Sequence, residues 1–335
     1  MATKALFNMA VNWFIRQRID QIQNFMKHPI ETQNGVLFSQ LFHAEETEYG
    51  RKFGFKDISS YRDFQQQVPI VNYEEFEPYI EKARQGQKDI SWPGVIRQFA
   101  KSSGTTNAKS KFIPISDESL EDCHYKAGKD LISIYANNHP DNQLFLNKNL
   151  RLGGSAELYE SFNTKFGDLS AILIENLPFW VEITTVPSKK TSLMSEWETK
   201  LKAIVSEVKN QDVGSLTGVP SWMMVLLQRI LTETGKGNIS EIFPNLEVFF
   251  HGGISFKPYR DQYRKLIGKD INYYEIYNAS EGFFAYQDSQ TEKGMLLLLN
   301  SGIFYEFIKA DEFFTENPKR LTISEVEIGV NYVLI

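Results

Sequence analysis

Leu246-Glu247-Val248-Phe249-Phe250-His251-Gly252-Gly253 decides how this chain folds, because an apolar run that stops at two glycines reads as a strand buried on both faces. Tyr259 to Leu266 behind it has helical spacing, and Ile271 to Tyr277 returns to a strand pattern. A strand, a helix and a strand in that order form a parallel crossover. The ligand crevice of such a unit lies outside the carboxyl ends of its strands, where Gly252, Gly253 and the residues after Tyr277 fall.

Working outward, Ser195-Glu196-Trp197-Glu198 reads as a capping box, followed by an apolar helical stripe of Trp197, Leu201, Ile204, Val205 and Val208. Leu216-Thr217-Gly218-Val219-Pro220 turns into a second helix, Ser221 to Leu231, that ends near Gly235. Beyond the crossover, Met295 to Leu299 and Ile303 to Ile308 are joined by Asn300-Ser301-Gly302, a hairpin signal. Phe7, Val11, Phe14, Arg18, Ile22 and Phe25 space out as a helix packed on the body. The polar Asn8, Asn12, Arg16, Asp20 and Gln21 exclude a signal peptide or membrane span there. With no linker, repeat or low-complexity tract, residues 1–335 read as one α/β domain, a sheet covered by helices.

Hydrophobic residues make up 42% of the 335, enough for a large core. The net charge of -6 opposes a broad nucleic-acid surface, which needs clustered Lys and Arg. The run Tyr259 to Lys265 reads as a helix surface rather than a base-stacking platform. Cys123 is the sole cysteine, so an intrachain disulfide and a cysteine metal cluster are excluded, and a reducing cytoplasm fits. The five histidines lie far apart without ligand spacing; His251 alone borders the glycine pair. P-loop, dinucleotide-fold, zincin and hydrolase-elbow signatures are all missing from the sequence.

Val95 to Ala100 and Lys111 to Ile115 read as two short strands with a hairpin loop, Lys101 to Ser110, between them. Ser102, Ser103, Thr105 and Thr106 place four hydroxyls around Gly104, flanked by Lys101, Lys109 and Lys111. Backbone N–H groups, short O–H donors and positive charge are what a polyphosphate needs. They also suit ordinary turn chemistry, and the loop alone admits both readings.

Ser102-Ser103-Gly104-Thr105-Thr106 and the downstream Tyr277-Asn278-Ala279-Ser280-Glu281 resemble the first two signature motifs of the adenylate-forming enzymes. More narrowly, Phe99 to Thr106, Lys111-Phe112-Ile113-Pro114 and Val219-Pro220-Ser221-Trp222 resemble the auxin-responsive (Gretchen Hagen three) acyl acid–amido synthetases and their bacterial relatives, over nearly the whole chain. The resemblance implies a firefly luciferase-like N-terminal domain and an ATP-dependent ligase. In it a carboxylate attacks the α-phosphorus, pyrophosphate leaves, and an amino acid or other amine takes the acyl group. By the same resemblance Ser102, Ser103, Gly104, Thr105 and Thr106, with Lys111, hold the phosphates. Gly252 and Gly253 pass beside the adenine, Tyr277 stacks on it with Asn278 and Ala279 alongside, Ser280 touches phosphate, and Glu281 places Mg²⁺. Phe179, Trp180, Val219 and Met223 are candidates for the acid pocket, although such apolar residues also suit a core. No membrane or nucleic-acid partner is implied.

Two features depart from the family pattern. Asn107 stands where many superfamily members carry Gly. The chain also stops at Tyr332-Val333-Leu334-Ile335 inside a strand pattern that begins near Glu325, so it reads as the front part of a longer protein. The family's Gly-Asp third motif and small C-terminal lid domain would then lie beyond Ile335. An acyl-CoA synthetase and a non-catalytic nucleotide-binding module are the alternatives.

Overall fold

The computed structural model describes residues 2–102, 110–154, 158–161, 163–291 and 294–335. In chain order its strands are β1 (Gln98–Ser102), β2 (Lys111–Ile115), β3 (Lys148–Leu152), β4 (Tyr159–Ser161), β5 (Thr164–Gly167), β6 (Thr185–Val186) and β7 (Val213–Gly218). They continue with β8 (Val248–Gly252), β9 (Asn272–Ala279), β10 (Gly282–Tyr286), β11 (Leu296–Leu297), β12 (Phe307–Lys309) and β13 (Tyr332–Leu334). Among the described residues they form three sheets, ordered β2-β1-β5-β4, β11-β10-β9-β8-β7-β3-β6 and β12-β13.

The crossover read from the sequence lies within the largest sheet. Every residue of β8 is buried, as a strand covered on both faces requires. The helix Arg260–Ile267 returns with Tyr263 and Ile267 inward and stops at Gly268, whose φ of 82° supplies the left-handed turn of a helix end. β9 then runs parallel to β8, with Phe250 opposite Tyr274 and Gly252 opposite Ile276. Helices Trp197–Val208 and Pro220–Thr234 make the matching crossovers from β6 to β7 and from β7 to β8. Their apolar faces meet Leu150, Leu216 and Phe249 of the sheet in one core that includes Ile204, Val205, Leu226 and Ile230.

The strands β6, β3, β7, β8 and β9 are parallel. After β3 the chain lays β6 on one side and β7, β8 and β9 on the other, so the winding reverses between β3 and β7. Such a reversal opens a crevice at the carboxyl ends of the two strands.

Two local expectations are corrected. Ser195 does not cap its helix; Glu196 does, its carboxylate accepting the N–H groups of Glu198 at 3.0 Å and Thr199 at 2.7 Å. A carboxylate there is both an acceptor and a negative charge at the positive helix end. The Asn300-Ser301-Gly302 turn does not make a hairpin, because β11 pairs with β10 and β12 with β13. The buried Gln33 amide takes up the turn's backbone instead. It donates to the carbonyls of Leu299 (2.8 Å) and Ile303 (3.0 Å) and accepts from the Tyr305 N–H (2.8 Å). Lys126 Nζ donates to the Asn300 carbonyl at 2.7 Å, so side chains satisfy groups that a ladder would otherwise pair.

The chain forms two compact units, residues 1–97, 114–130 and 298–335 in one and 98–113 and 131–297 in the other. In the first, helix Ala2–Lys27 buries Ile22 and Phe25, as its spacing predicts, and helix Pro29–Ala44 buries Leu37 and Leu41. The second carries the two larger sheets apart from the end of β2. No helix among the described residues is long and apolar enough to cross a membrane.

His251 on β8 is buried, its ring stacked on Phe256 at 4.1 Å between centroids, and burial pushes its imidazole down to about 4. Above pH 6.5 both folded and unfolded chains hold it neutral. Between 6.5 and 4 only the unfolded chain gains the proton, so folding weakens as pH falls, by about 3 kcal/mol at the acid end. The replacement His251→Phe keeps the stacking and should remove that loss, read as the wild-type minus variant difference in urea midpoints at pH 7 and pH 4.5.

Candidate functional site at the carboxyl edge of the parallel strands

β8 ends at Gly252, and close packing decides why no side chain is there. A β-carbon on Gly252 would lie 2.5 Å from the Ile276 carbonyl oxygen and 2.6 Å from its Cγ1. Gly253 follows with φ of 83°, a left-handed conformation that glycine adopts without strain. A β-carbon at Gly253 would come 3.4 Å from Val219 Cγ2. Val219 is the N-cap of helix Pro220–Thr234, the first residue after β7. The ends of β7 and β8 therefore stand side by side.

The next strand completes the edge. Tyr277, Asn278 and Ala279 finish β9, and Ser280-Glu281 form the two-residue turn into β10, since Ala279 pairs with Gly282. Tyr277 is 47% exposed and its ring packs 5.0 Å from that of Phe284, so one part is fixed and the rest is open to a planar ligand. A register shift between Phe283 and Ala285 lies directly across from it. Glu281 is exposed. Among the described residues no group of three His, Cys, Asp or Glu could hold a metal. An open single carboxylate fits Mg²⁺, which takes its other ligands from phosphate oxygens and water.

Ser102 is the last residue of β1 and Lys111 the first of β2, its neighbour in the four-stranded sheet. Ser103, Gly104, Thr105 and Thr106 lie outside the described residues. Where β1 points can nevertheless be traced. It runs parallel to β5 with Ala100 opposite Gly167, so Ser102 lies toward the same side as Asp168. The Asp168 Oδ2 is 3.2 Å from where a β-carbon of Gly154 would be, and Gly154 lies just past the carboxyl end of β3. The end of β5, and with it the side toward which β1 runs, thus lies close to the carboxyl end of β3.

Other candidates are dispersed. Met223 is fully buried in the core, one turn into the helix that Val219 caps. Phe179 is 76% exposed on the short helix Phe179–Glu182, which leads into the amino end of β6; the structure does not bring it to the carboxyl edge. Trp180 shares that helix, and its side chain lies outside what is described. Sequence reading missed Gly153-Gly154, Asp168 and Lys200. The signal for the first was present, since Asn149-Leu150-Arg151-Leu152 stops at a glycine pair as β8 does.

Comparison with known proteins agrees with this architecture. An indole-3-acetic acid-amido synthetase of Arabidopsis thaliana, GH3.3, is 32% identical over 92 residues, 27% of this chain and 15% of that protein. The solved acyl acid amido synthetase AtGH3.15 in complex with 2,4-DB superposes with a TM-score of 0.77 at 16% identity, over 96% of this chain and 64% of the other. A 2-hydroxyisobutyryl-CoA ligase in complex with 2-HIB-AMP and CoA superposes with a TM-score of 0.55 at 15% identity, over 84% and 56%. Both structures share this chain's fold, and this chain spans less than two thirds of the length of these relatives. The GH3 family N-terminal domain matches residues 18–271, well over half of the sequence, and the chain belongs to that family.

Proposed function

We propose that this chain binds ATP and activates a carboxylic acid as an acyl-adenylate, which an amino acid or another amine then converts to an amide. The observation that supports this reading is that β1 runs parallel to β5, and that Asp168, just past the end of β5, lies beside Gly154 at the carboxyl end of β3. Ser102 to Thr106 hold the phosphates with the cationic Lys111, Gly252 and Gly253 let the base approach the backbone, Tyr277 stacks on it with Asn278 and Ala279 beside it, and Ser280 reaches phosphate. When bound at Glu281, Mg²⁺ supplies charge for the departing pyrophosphate. A carboxylate oxygen attacking the α-phosphorus brings two anions together, so positioning and charge neutralisation matter more than a protein nucleophile. The amine then attacks the acyl carbon and AMP leaves. Val219, beside Gly253, lines the acid's side of the edge, with Met223 behind it in the core. A reaction fed by ATP, together with the one cysteine, supports a cytoplasmic location.

Transfer to coenzyme A is the second reading, motivated by the fold shared with the CoA ligase. Carboxylate-dependent exchange of labelled pyrophosphate into ATP tests the step common to both, in the natively expressed protein with a panel of aryl and aliphatic acids. Exchange with none of them overturns the proposal; release of AMP on adding amines but not CoA selects amide formation. Because Glu281 is exposed, Glu281→Gln should leave the thermal midpoint in place while lowering Mg²⁺-dependent exchange roughly tenfold. Undiminished exchange would remove Glu281 from the metal site.

A further inference from the structure

Lys200 sits on the helix Trp197–Val208 beside the apolar Leu201, Ile204 and Val205, yet only 2% of it is exposed. Lysine is almost never buried to that degree without a partner to hold it there. Its Nζ donates to the Gly154 carbonyl at 3.1 Å. The N–H of the same residue is accepted by Ser170 Oγ, also at 3.1 Å. Gly154 is thus gripped on both sides of its backbone by side chains from two helices. It is closed in as well, because a β-carbon there would lie 3.1 Å from the Trp222 ring and 3.2 Å from Asp168 Oδ2. Trp222 belongs to the first turn of the helix that Val219 caps. The grip therefore joins the end of β3 to the start of the helix after β7, the two strands between which the winding reverses.

We propose that Lys200 is a positioning residue that sets the spacing of this crevice, and that the carboxylic acid, more than ATP, depends on it. The inference rests on the proposed adenylation in one respect, that Val219 faces the acid. Its chemical logic is the choice of lysine. A Met or Leu could fill a buried position, whereas an ammonium adds a directed bond to one carbonyl and attraction to Asp168. Burial lowers the affinity of the amine for its proton, and the Asp168 charge opposes that shift in part.

Lys200→Met and, from the other side of the contact, Gly154→Ala test this in the natively expressed protein. For both variants KM for the acid in pyrophosphate exchange should rise at least about tenfold, while KM for ATP stays within about threefold and the circular-dichroism melt still shows a folded protein. Amide hydrogen exchange of the Gly153-Gly154 segment, read by mass spectrometry, should quicken at least about tenfold in Lys200→Met. If Lys200 merely fills space, both KM values stay together and the amide exchange is unchanged, and the proposal is overturned. If the wild type activates no acid at all, the adenylation reading fails, and the amide exchange alone still decides whether Lys200 holds Gly154. Should either variant not fold, the other carries the same comparison.

Discussion

Gly252→Val is expected to lower pyrophosphate exchange on the order of 100-fold while costing about 1 to 3 kcal/mol of stability. The β-carbon alone would overlap the Ile276 carbonyl at 2.5 Å and its Cγ1 at 2.6 Å, and valine adds two methyl groups to that collision. Backbone relief is costly, because Gly252 and Ile276 are partners in the β8–β9 register and β8 is buried throughout. The easier response is for the end of β9 to move. Ile276 precedes Tyr277, so the displacement passes straight to the aromatic ring and to the Ser280-Glu281 turn. Pyrophosphate exchange and a thermal melt measured on one preparation separate the two effects. Exchange at the wild-type rate in a folded Gly252→Val protein would show that this edge does not carry the nucleotide.

The crossover around β8 is readable from sequence because its determinants are local. The apolar Val248-Phe249-Phe250 before a glycine pair, glycines at two helix ends and a stripe repeating every three or four residues need no distant partner to be recognised. The four-stranded sheet has no such mark. β4 and β5 are three and four residues long, too short to show a period, and the parallel pairing of β1 with β5 joins segments far apart in sequence. Asn300-Ser301-Gly302 misleads for the opposite reason: its local turn signal is strong, but Gln33 outcompetes a ladder for its backbone groups. The division into two units is equally silent, since the chain passes between them without linkers and once inside helix Lys126–Asn138.

At the site, motifs were legible where the chemistry is carried by residue type. Gly252-Gly253 and Tyr277 to Glu281 announce a strand end and a turn, and the structure places both on one edge. Lys200 could not be found this way. Between Thr199 and Leu201 it reads as one more charge on an amphipathic helix, and only packing reveals that it faces inward. Met223 shows the converse, an apolar residue near a helix start that the fold uses as core.

Glu306→Leu should cost about 3 to 5 kcal/mol, the largest stability loss expected from a single side chain here, because it strands a largely enclosed guanidinium. Arg320 donates to the Glu306 carboxylate through Nε at 2.9 and 3.0 Å and through Nη2 at 2.6 Å. Tyr61 adds its hydroxyl at 2.7 Å, and Arg320 Nη1 reaches the Val68 carbonyl at 2.7 Å. The guanidinium also lies over the Phe64 ring, 5.3 Å from its centroid. The carboxylate is buried and the guanidinium only 12% exposed, so water poorly replaces the lost carboxylate, and the helix Tyr61–Gln67 loses its bond to Glu306, the residue ahead of β12. Taking both charges away in Glu306→Leu/Arg320→Met should recover more than half of the loss, since an apolar pair avoids the unpaired charge. Urea unfolding of the two single variants and the double variant forms a cycle that isolates the coupling. A loss below about 1 kcal/mol in Glu306→Leu would instead match an ion pair screened by solvent, and the buried tie would not be what fastens these segments.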